Sequence, residues 1–195
     1  MKYCSECSHP VRLMIPQGED RERHVCSQCG TIHYQNPKVI AGCLPVWGQQ
    51  VLLCRRAIEP RLGFWTLPAG FMELGETLEE AARREAYEEA NAELRLDDLY
   101  TVFSLPHLSQ VYAFFRGDLL NLNFSAGSES LEVGLFHESE IPWDDLAFET
   151  VRQSLNFFFE DRKSGHFPNR VINLAASARI FEQSTTDDRL IKKGL

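Results

Sequence analysis

No run of ~18 consecutive apolar residues occurs in the chain, which excludes a helical membrane span of ordinary length. The opening stretch MKYCSECSHP lacks the apolar core of a secretory leader, so the expected setting is a reducing cytoplasm. Positive charge is also scarce: 20 lysines and arginines stand against 28 aspartates and glutamates, for a formal net charge of −8. That balance argues against a protein whose partner is a nucleic-acid backbone. It leaves room for a phosphorylated small molecule, provided divalent cations stand between the anion and an acidic site. Internal repeats and low-complexity tracts are missing too. The content, 44% apolar and 25% charged, is that of a globular chain.

Cysteine is sparse, six in 195 residues. Cys43 and Cys54 lie singly within the apolar runs VIAGCLPV and VLLCRRA and read as small core residues. The other cysteines form two knuckles, Cys4/Cys7 and Cys26/Cys29, in the pattern C-x2-C-x18-C-x2-C. This is the spacing of a four-cysteine zinc ribbon, with a disulfide pair as the alternative that a reducing compartment disfavours. A segment this short has little core, so metal binding supplies its folding free energy. Its charges balance, which gives no basic face for nucleic acid.

Three regions follow: a zinc ribbon over 1–36, a mixed α/β domain over 37–165, and a tail over 166–195 to which no role is assigned. In the ribbon, VRLMIP and ERHVCSQCG read as short strands around the turn QGED. In the second region, KVIAGCLPVW and QVLLCRRA read as a hairpin turning at Gly48-Gln49. LYTVFSLP and QVYAFFRGDL read as a further pair, and LEVGLFHE as one more strand. Two helices are expected. One runs from about Thr77 to Ala90; the other, with Phe148, Val151, Leu155 and Phe158 on one side, ends near Lys163-Ser164-Gly165. The interleaving is not a strict βαβ repeat, so a mixed sheet between helices is expected. The tail carries one amphipathic segment near Ile172 to Phe181.

The first helix holds an anomaly. Thr77 and Glu80 fit a capping box, and Leu78, Ala81 and Ala82 begin an apolar stripe that Glu85, Glu88 and Glu89 then continue. Like charges at i, i+3 and i+4 each cost roughly 0.2–0.5 kcal/mol on an isolated helix. A solvated helix face with Glu79–Arg83 and Glu80–Arg84 pairs explains the arginines but not three acids on an inward stripe. A hard divalent cation does, because carboxylate oxygens suit Mg²⁺ or Mn²⁺ and coordination replaces repulsion.

Extended backward, the stretch GFMELGETLEEAARREAYEEANA resembles the Nudix box, G-x5-E-x7-R-E-U-x-E-E-x-G-U with U aliphatic. It fits at Gly70, Glu76, Arg84, Glu85, Ala86, Glu88, Glu89 and Ala92, and departs only where Asn91 replaces the second glycine. Asn is the usual second choice at a left-handed helix end, so a small stability cost is expected and no loss of a ligand.

The resemblance implies an α/β/α sandwich that hydrolyses nucleoside diphosphates linked to another group. It implies that Glu85, Glu88 and Glu89, with the backbone carbonyl of Ala69, hold the catalytic Mg²⁺ or Mn²⁺, and that Glu76 and Arg84 pair to keep the loop and helix in register. The general base stays open among the box glutamates and Glu129 and Glu132, which read equally as loop acids. Arg55 and Arg56 are candidate phosphate contacts or edge residues. Trp65 and Tyr112, with Phe64 and Phe103, are candidate ring-stacking surfaces or core. A ribbon ahead of a Nudix box, with CSQCGTIHYQNPKVIAGC and ESLEVGLFHESEIPWDDLAF, looks like the group containing the plastid FAD and ADP-ribose diphosphatases of plants. NADH diphosphatases share the arrangement but carry S-Q-P-W-P-F-P-x-S where this chain has SLPHLSQVYAFF. FAD or ADP-ribose is therefore the expected substrate, NADH the alternative, and a ligand sensor the non-enzymatic one. The group's members are commonly dimers, so a homodimer is expected.

Overall fold

The computed structural model describes residues 1–175, and the chain divides into two compact units, Met1–Pro37 and Lys38–Leu195. The first unit is a three-stranded antiparallel sheet of β1 (Val11–Met14), β2 (Arg23–Cys26) and β3 (Ile32–His33), in that order. Its turns are fixed by the cysteines' own backbone. Cys4 N–H donates to His9, Gly30 N–H to Cys26, and Cys26 N–H to Thr31. Glu19 accepts from Tyr34 at 2.6 Å and from Arg23 at 2.8 Å, fastening the polar turn to the last strand.

The second unit contains β4 (Lys38–Trp47), β5 (Gln50–Arg56), β6 (Trp65–Thr66), β7 (Ala69–Phe71), α1 (Leu78–Ala90), β8 (Leu94–Leu105), β9 (Gln110–Leu119), β10 (Ser130–Phe136), α2 (Glu149–Asp161) and β11 (Arg170–Asn173). The strand order is β10-β5-β4-β9-β8-β11, with β6 on β5 and β7 on β4. The β4–β9 and β8–β11 pairs are parallel and the rest antiparallel, so the sheet is mixed. Alternation along each strand sends neighbouring residues to opposite faces. Leu44, Val46, Val51 and Leu53 join Val151, Leu155 and Phe158 of α2 in one core. Ala41, Cys43, Leu52 and Cys54 instead lie among the clusters that hold Ala81, Ala82, Ala86 and Ala90 of α1. The result is a helix on each face of the sheet, and the alanine face of α1 lets it sit close.

The hairpin turns between Trp47 and Gln50. Strand β8 starts at Leu94, earlier than the LYTVFSLP stretch alone suggests, because its register shifts between Leu96 and Thr101 absorb the polar Asp97-Asp98 step. Strand β11 adds residues of the tail to the sheet edge. Arg170 reaches Asp161 with both terminal nitrogens at 2.6 Å, and Tyr100 donates to the same carboxylate at 2.6 Å. The rest of the amphipathic segment, from residue 176 onward, lies outside the described residues. Among the described residues no helix is long and apolar enough to cross a membrane.

Candidate functional site

In the small unit, the sulfurs of Cys4, Cys7, Cys26 and Cys29 all lie within 4.8 Å of one another. All are free thiols, and the closest Sγ···Sγ separations are 3.4 Å, far beyond the ~2.05 Å of a disulfide. Four soft donors converging on one point fit a tetrahedral Zn²⁺. Donors surround the quartet. Amides of Gln28 and Cys29 approach Cys26 at 3.4 and 3.5 Å, the Thr31 hydroxyl lies 3.1 Å from Cys29, and His33 Nε2 lies 3.3 Å from Cys4. The Thr31 hydroxyl leads the causes that pull the Cys29 thiol down to about 6.

The second set of residues is built on α1. Its start is fixed by the capping box: Thr77 accepts from Glu80 N–H at 3.2 Å and Glu80 accepts from Thr77 N–H at 2.7 Å. Its end is fixed by Asn91, which takes the left-handed conformation (φ 48°) and donates from its side chain to Ser125 at 3.1 Å. Between these ends Glu85 and Glu89 are buried, at 8% and 5% exposure. Glu88 is not: its side chain is 56% exposed, so only two of the three acids lie on the inward stripe.

Arg84 decides how the acids are held. It donates to Glu76 at 2.8 and 3.0 Å, to Glu85 at 2.7 Å, to Glu88 at 3.0 Å and to the Phe71 carbonyl at 3.1 Å. The loop before the helix is thereby stitched to it. The expected Glu80–Arg84 pair does not form, because the cap takes Glu80 and the other acids take Arg84; nor does Glu79–Arg83 pair. Among the described residues no guanidinium hydrogen-bonds to Glu89. Its nearest donor is the Ala69 amide, 3.4 Å away, and burial, then the charge of Glu85, pushes it up to about 8. Burial raises Glu85 as well, against the pull of Arg84. Two buried carboxyl groups, of which only Glu85 has a guanidinium partner, offer oxygen donors that fit a hard divalent cation. The three acids do not converge as tightly as the four sulfurs do; Arg84 stands between Glu85 and Glu88.

Two close approaches shape this region. A Cβ placed on Gly70 would lie 2.3 Å from Glu85 Oε1, so the loop backbone runs against the carboxylate. A Cβ on Gly127 would lie 1.7 Å from the carbonyl oxygen of Glu88. The segment around Gly127 covers the end of α1, with Ser125 N–H donating to Ala90 and Gly127 N–H to Glu89. Periodicity in the sequence carries no sign of that contact.

The remaining candidates separate. Glu129 is exposed in the turn before β10, and its charge helps raise both Glu85 and Glu89, which puts it within electrostatic reach of them. Glu132 stands across from Arg55 and pairs with it at 3.6 Å, both more than 40% exposed, and Arg55 also donates to Gly63. Such a surface pair contributes ~1 kcal/mol or less. Arg56 is buried at 9% exposure. Its Nε donates to Pro60 at 2.8 Å, its guanidinium lies 5.3 Å from the centre of the Phe148 ring, and its charge acts on Glu89 and Tyr112. Among the described residues no carboxylate pairs with it. Trp65 packs edge-on against Phe136 at 4.9 Å, and Tyr112 stacks on Phe114 at 6.1 Å, both half-buried at the margin of the main core. Phe103 is fully buried and belongs to that core rather than to a ligand surface; Phe64 lies under Arg61.

Two family models match the chain. The NUDIX domain family model matches residues 36–161, and the Nudix N-terminal zinc ribbon model matches residues 2–35. A NAD-capped RNA hydrolase NudC from Haemophilus influenzae is 34% identical over 146 residues, covering 72% of this chain and 48% of the relative. The chain thus spans about half the length of the curated relatives it first matches. An ADP-ribose pyrophosphatase from Methanocaldococcus jannaschii is 31% identical over 120 residues, covering 60% of this chain and 70% of that protein. The crystal structure of a NUDIX hydrolase from Nitrosomonas europaea superposes with a TM-score of 0.85 at 55% identity, covering 89% of this chain and all of that one.

Proposed function

The chain belongs to the Nudix family, with the family's zinc ribbon ahead of the hydrolase domain, and from that premise we propose that it hydrolyses the diphosphate bond of ADP-ribose or FAD. Water would divide ADP-ribose into AMP and ribose 5-phosphate, and FAD into AMP and FMN. Glu85, Glu88 and Glu89, with the carbonyl of Ala69, would hold Mg²⁺ or Mn²⁺. A divalent cation held by these residues would supply positive charge to a phosphoryl oxygen and acidify water at the site. Arg84 keeps the loop at Phe71 and Glu76 tied to the helix that carries those acids. Arg56 offers a buried guanidinium, braced by Pro60 and Phe148, with no carboxylate partner among the described residues to compete for a substrate phosphate. Glu129, exposed and beside the buried acids, is the candidate to take a proton from water. Glu132 is weaker for that role, since it is engaged by Arg55. The half-buried Trp65 and Tyr112 are candidate surfaces for the rings.

The observation that carries the substrate reading is the archaeal ADP-ribose pyrophosphatase, 70% of whose length this chain covers. The similarity to NudC supports a second reading, hydrolysis of NADH or of a NAD cap. The absence of the SQPWPFP signature weighs against it, and the net charge of −8 weighs against its RNA part. Product chromatography of ADP-ribose, FAD, NADH and a NAD-capped oligonucleotide, with Mg²⁺ and with Mn²⁺, decides the matter. ADP-ribose or FAD should give the highest kcat/KM. If NADH or the capped RNA does so, the second reading replaces the first; no turnover of any of them favours the sensor.

A further inference from the structure

The ribbon holds a residue that its cysteine pattern does not contain. Zn²⁺ bound to four thiolates leaves a centre with a net charge of about −2, and such a centre needs hydrogen-bond donors around its sulfurs. The second knuckle is well supplied. Two amides approach Cys26 and the Thr31 hydroxyl lies beside Cys29. The first knuckle differs. Cys4 is buried at 3% exposure, its own amide is committed to His9, and no backbone N–H approaches its sulfur among the described residues. Apart from the other ligand sulfurs, the one side chain among the described residues that reaches it is His33, with Nε2 at 3.3 Å. The backbone that carries the ring is fixed: β3 pairs His33 opposite His24, and the turn leading into β3 is closed by Cys26 N–H to Thr31.

We propose that His33 is a positioning residue of the zinc centre, donating its Nε2–H to the Cys4 thiolate and so retaining the buried ligand of the first knuckle. A metal-bound thiolate has no proton, so the contact is favourable only with the proton on Nε2. His33 is not needed as a ligand, since four sulfurs already complete a tetrahedral site. It takes on Cys4 the place that amides take on Cys26. Partners of this kind, one bond removed from the ligand, typically change metal retention by about ten- to a hundredfold.

The test uses the full chain loaded with zinc, and separately with Co²⁺ as a visible probe. Zinc release into excess chromogenic chelator should be about tenfold faster in His33→Ala, while His33→Gln, whose amide can donate from a similar position, stays near wild type. In the Co²⁺ protein, the sulfur-to-metal charge-transfer band should move to lower energy in His33→Ala and return in His33→Gln. Equal release by His33→Ala and wild type overturns the proposal. So does faster release with an unmoved band and no rescue by His33→Gln, which would mean packing alone. If His33→Ala cannot be loaded, His33→Gln decides: a wild-type band and release rate support the proposal, and a shifted band with fast release overturns it.

Discussion

Gly70→Ala separates catalytic geometry from stability. The added Cβ would meet Glu85 Oε1 at 2.3 Å and its Cδ and Oε2 at 2.4 Å, whereas comfortable contact begins near ~3.5 Å. The carboxylate must retreat by ~1 Å, lengthening the 2.7 Å contact with Arg84 and carrying Glu85 away from the cation it is proposed to hold. What moves is the end of a flexible side chain, so the fold itself is little strained. The lost freedom of the unfolded chain even returns ~0.4–1 kcal/mol. Melting temperature should therefore stay within ~4 °C of wild type. Rate should not: a ~1 Å displacement of a catalytic group costs ~10²-fold, or ~2.7 kcal/mol in the barrier. The assay is kcat for ADP-ribose at saturating Mg²⁺, beside thermal unfolding of the same sample. A variant that keeps kcat within ~3-fold of wild type while remaining folded would refute both the contact and the role given to Glu85.

Gly127→Ala should behave in the opposite way. Its Cβ would collide with backbone, the Glu88 carbonyl at 1.7 Å, so a loss of ~3 kcal/mol or more and a fall in melting temperature on the order of 10 °C are expected by calorimetry. Glu89→Gln and Glu88→Gln should each lose at least ~10²-fold in kcat; near-normal turnover in both would remove these carboxylates from the metal site. Glu89 also sets a pH dependence. Its folded pKa of about 8 lies above the ordinary 4.5, so the stability it lends is full below ~4.5 and is lost as pH rises through ~8. Without added Mg²⁺ or Mn²⁺, denaturant titrations should find wild type weakening across that window and Glu89→Gln weakening less; identical slopes would count against the burial. Elemental analysis of protein purified without added metal should find ~1 Zn²⁺ per chain, lost when Cys4 or Cys26 is changed to Ser.

Much of the architecture was legible because local rules and spacing agree. The start of α1 is written in Thr77 and Glu80, which cap each other over one turn, and its end in Asn91, one of the few residues at ease with positive φ. The cysteine quartet could be read from spacing alone, since two knuckles need little else to converge. The short strands β6 and β7 are too brief for any period to appear, and β11 becomes a strand only by pairing with β8. The Gly127 contact joins a loop to a helix nearly 40 residues earlier in the chain, beyond the reach of any local pattern.

The acids of α1 mark the boundary between what sequence reasoning reaches and what it misses. At about 100° per residue, the buried positions from Ala81 to Ala90 span an arc of roughly 180°, with Glu85 and Glu89 inside it. Glu88 falls roughly 20° beyond the Ala81 edge, and so its side chain reaches solvent while its neighbours do not. Spacing alone says that the three share a side of the helix; only the packing of the sheet says where burial stops. The distinction matters for energetics. Arg84 can compensate Glu85 and Glu88 together because one is at the edge and the other beneath it. Glu89 lies deeper and, among the described residues, accepts a hydrogen bond only from an amide at 3.4 Å, with the Arg56 charge acting from farther off. A helix that buries a carboxylate with so little compensation is less stable for it, and a cation at Glu89 would offset that cost. The residue most anomalous for folding is thus one of the acids to which the proposed chemistry assigns the cation.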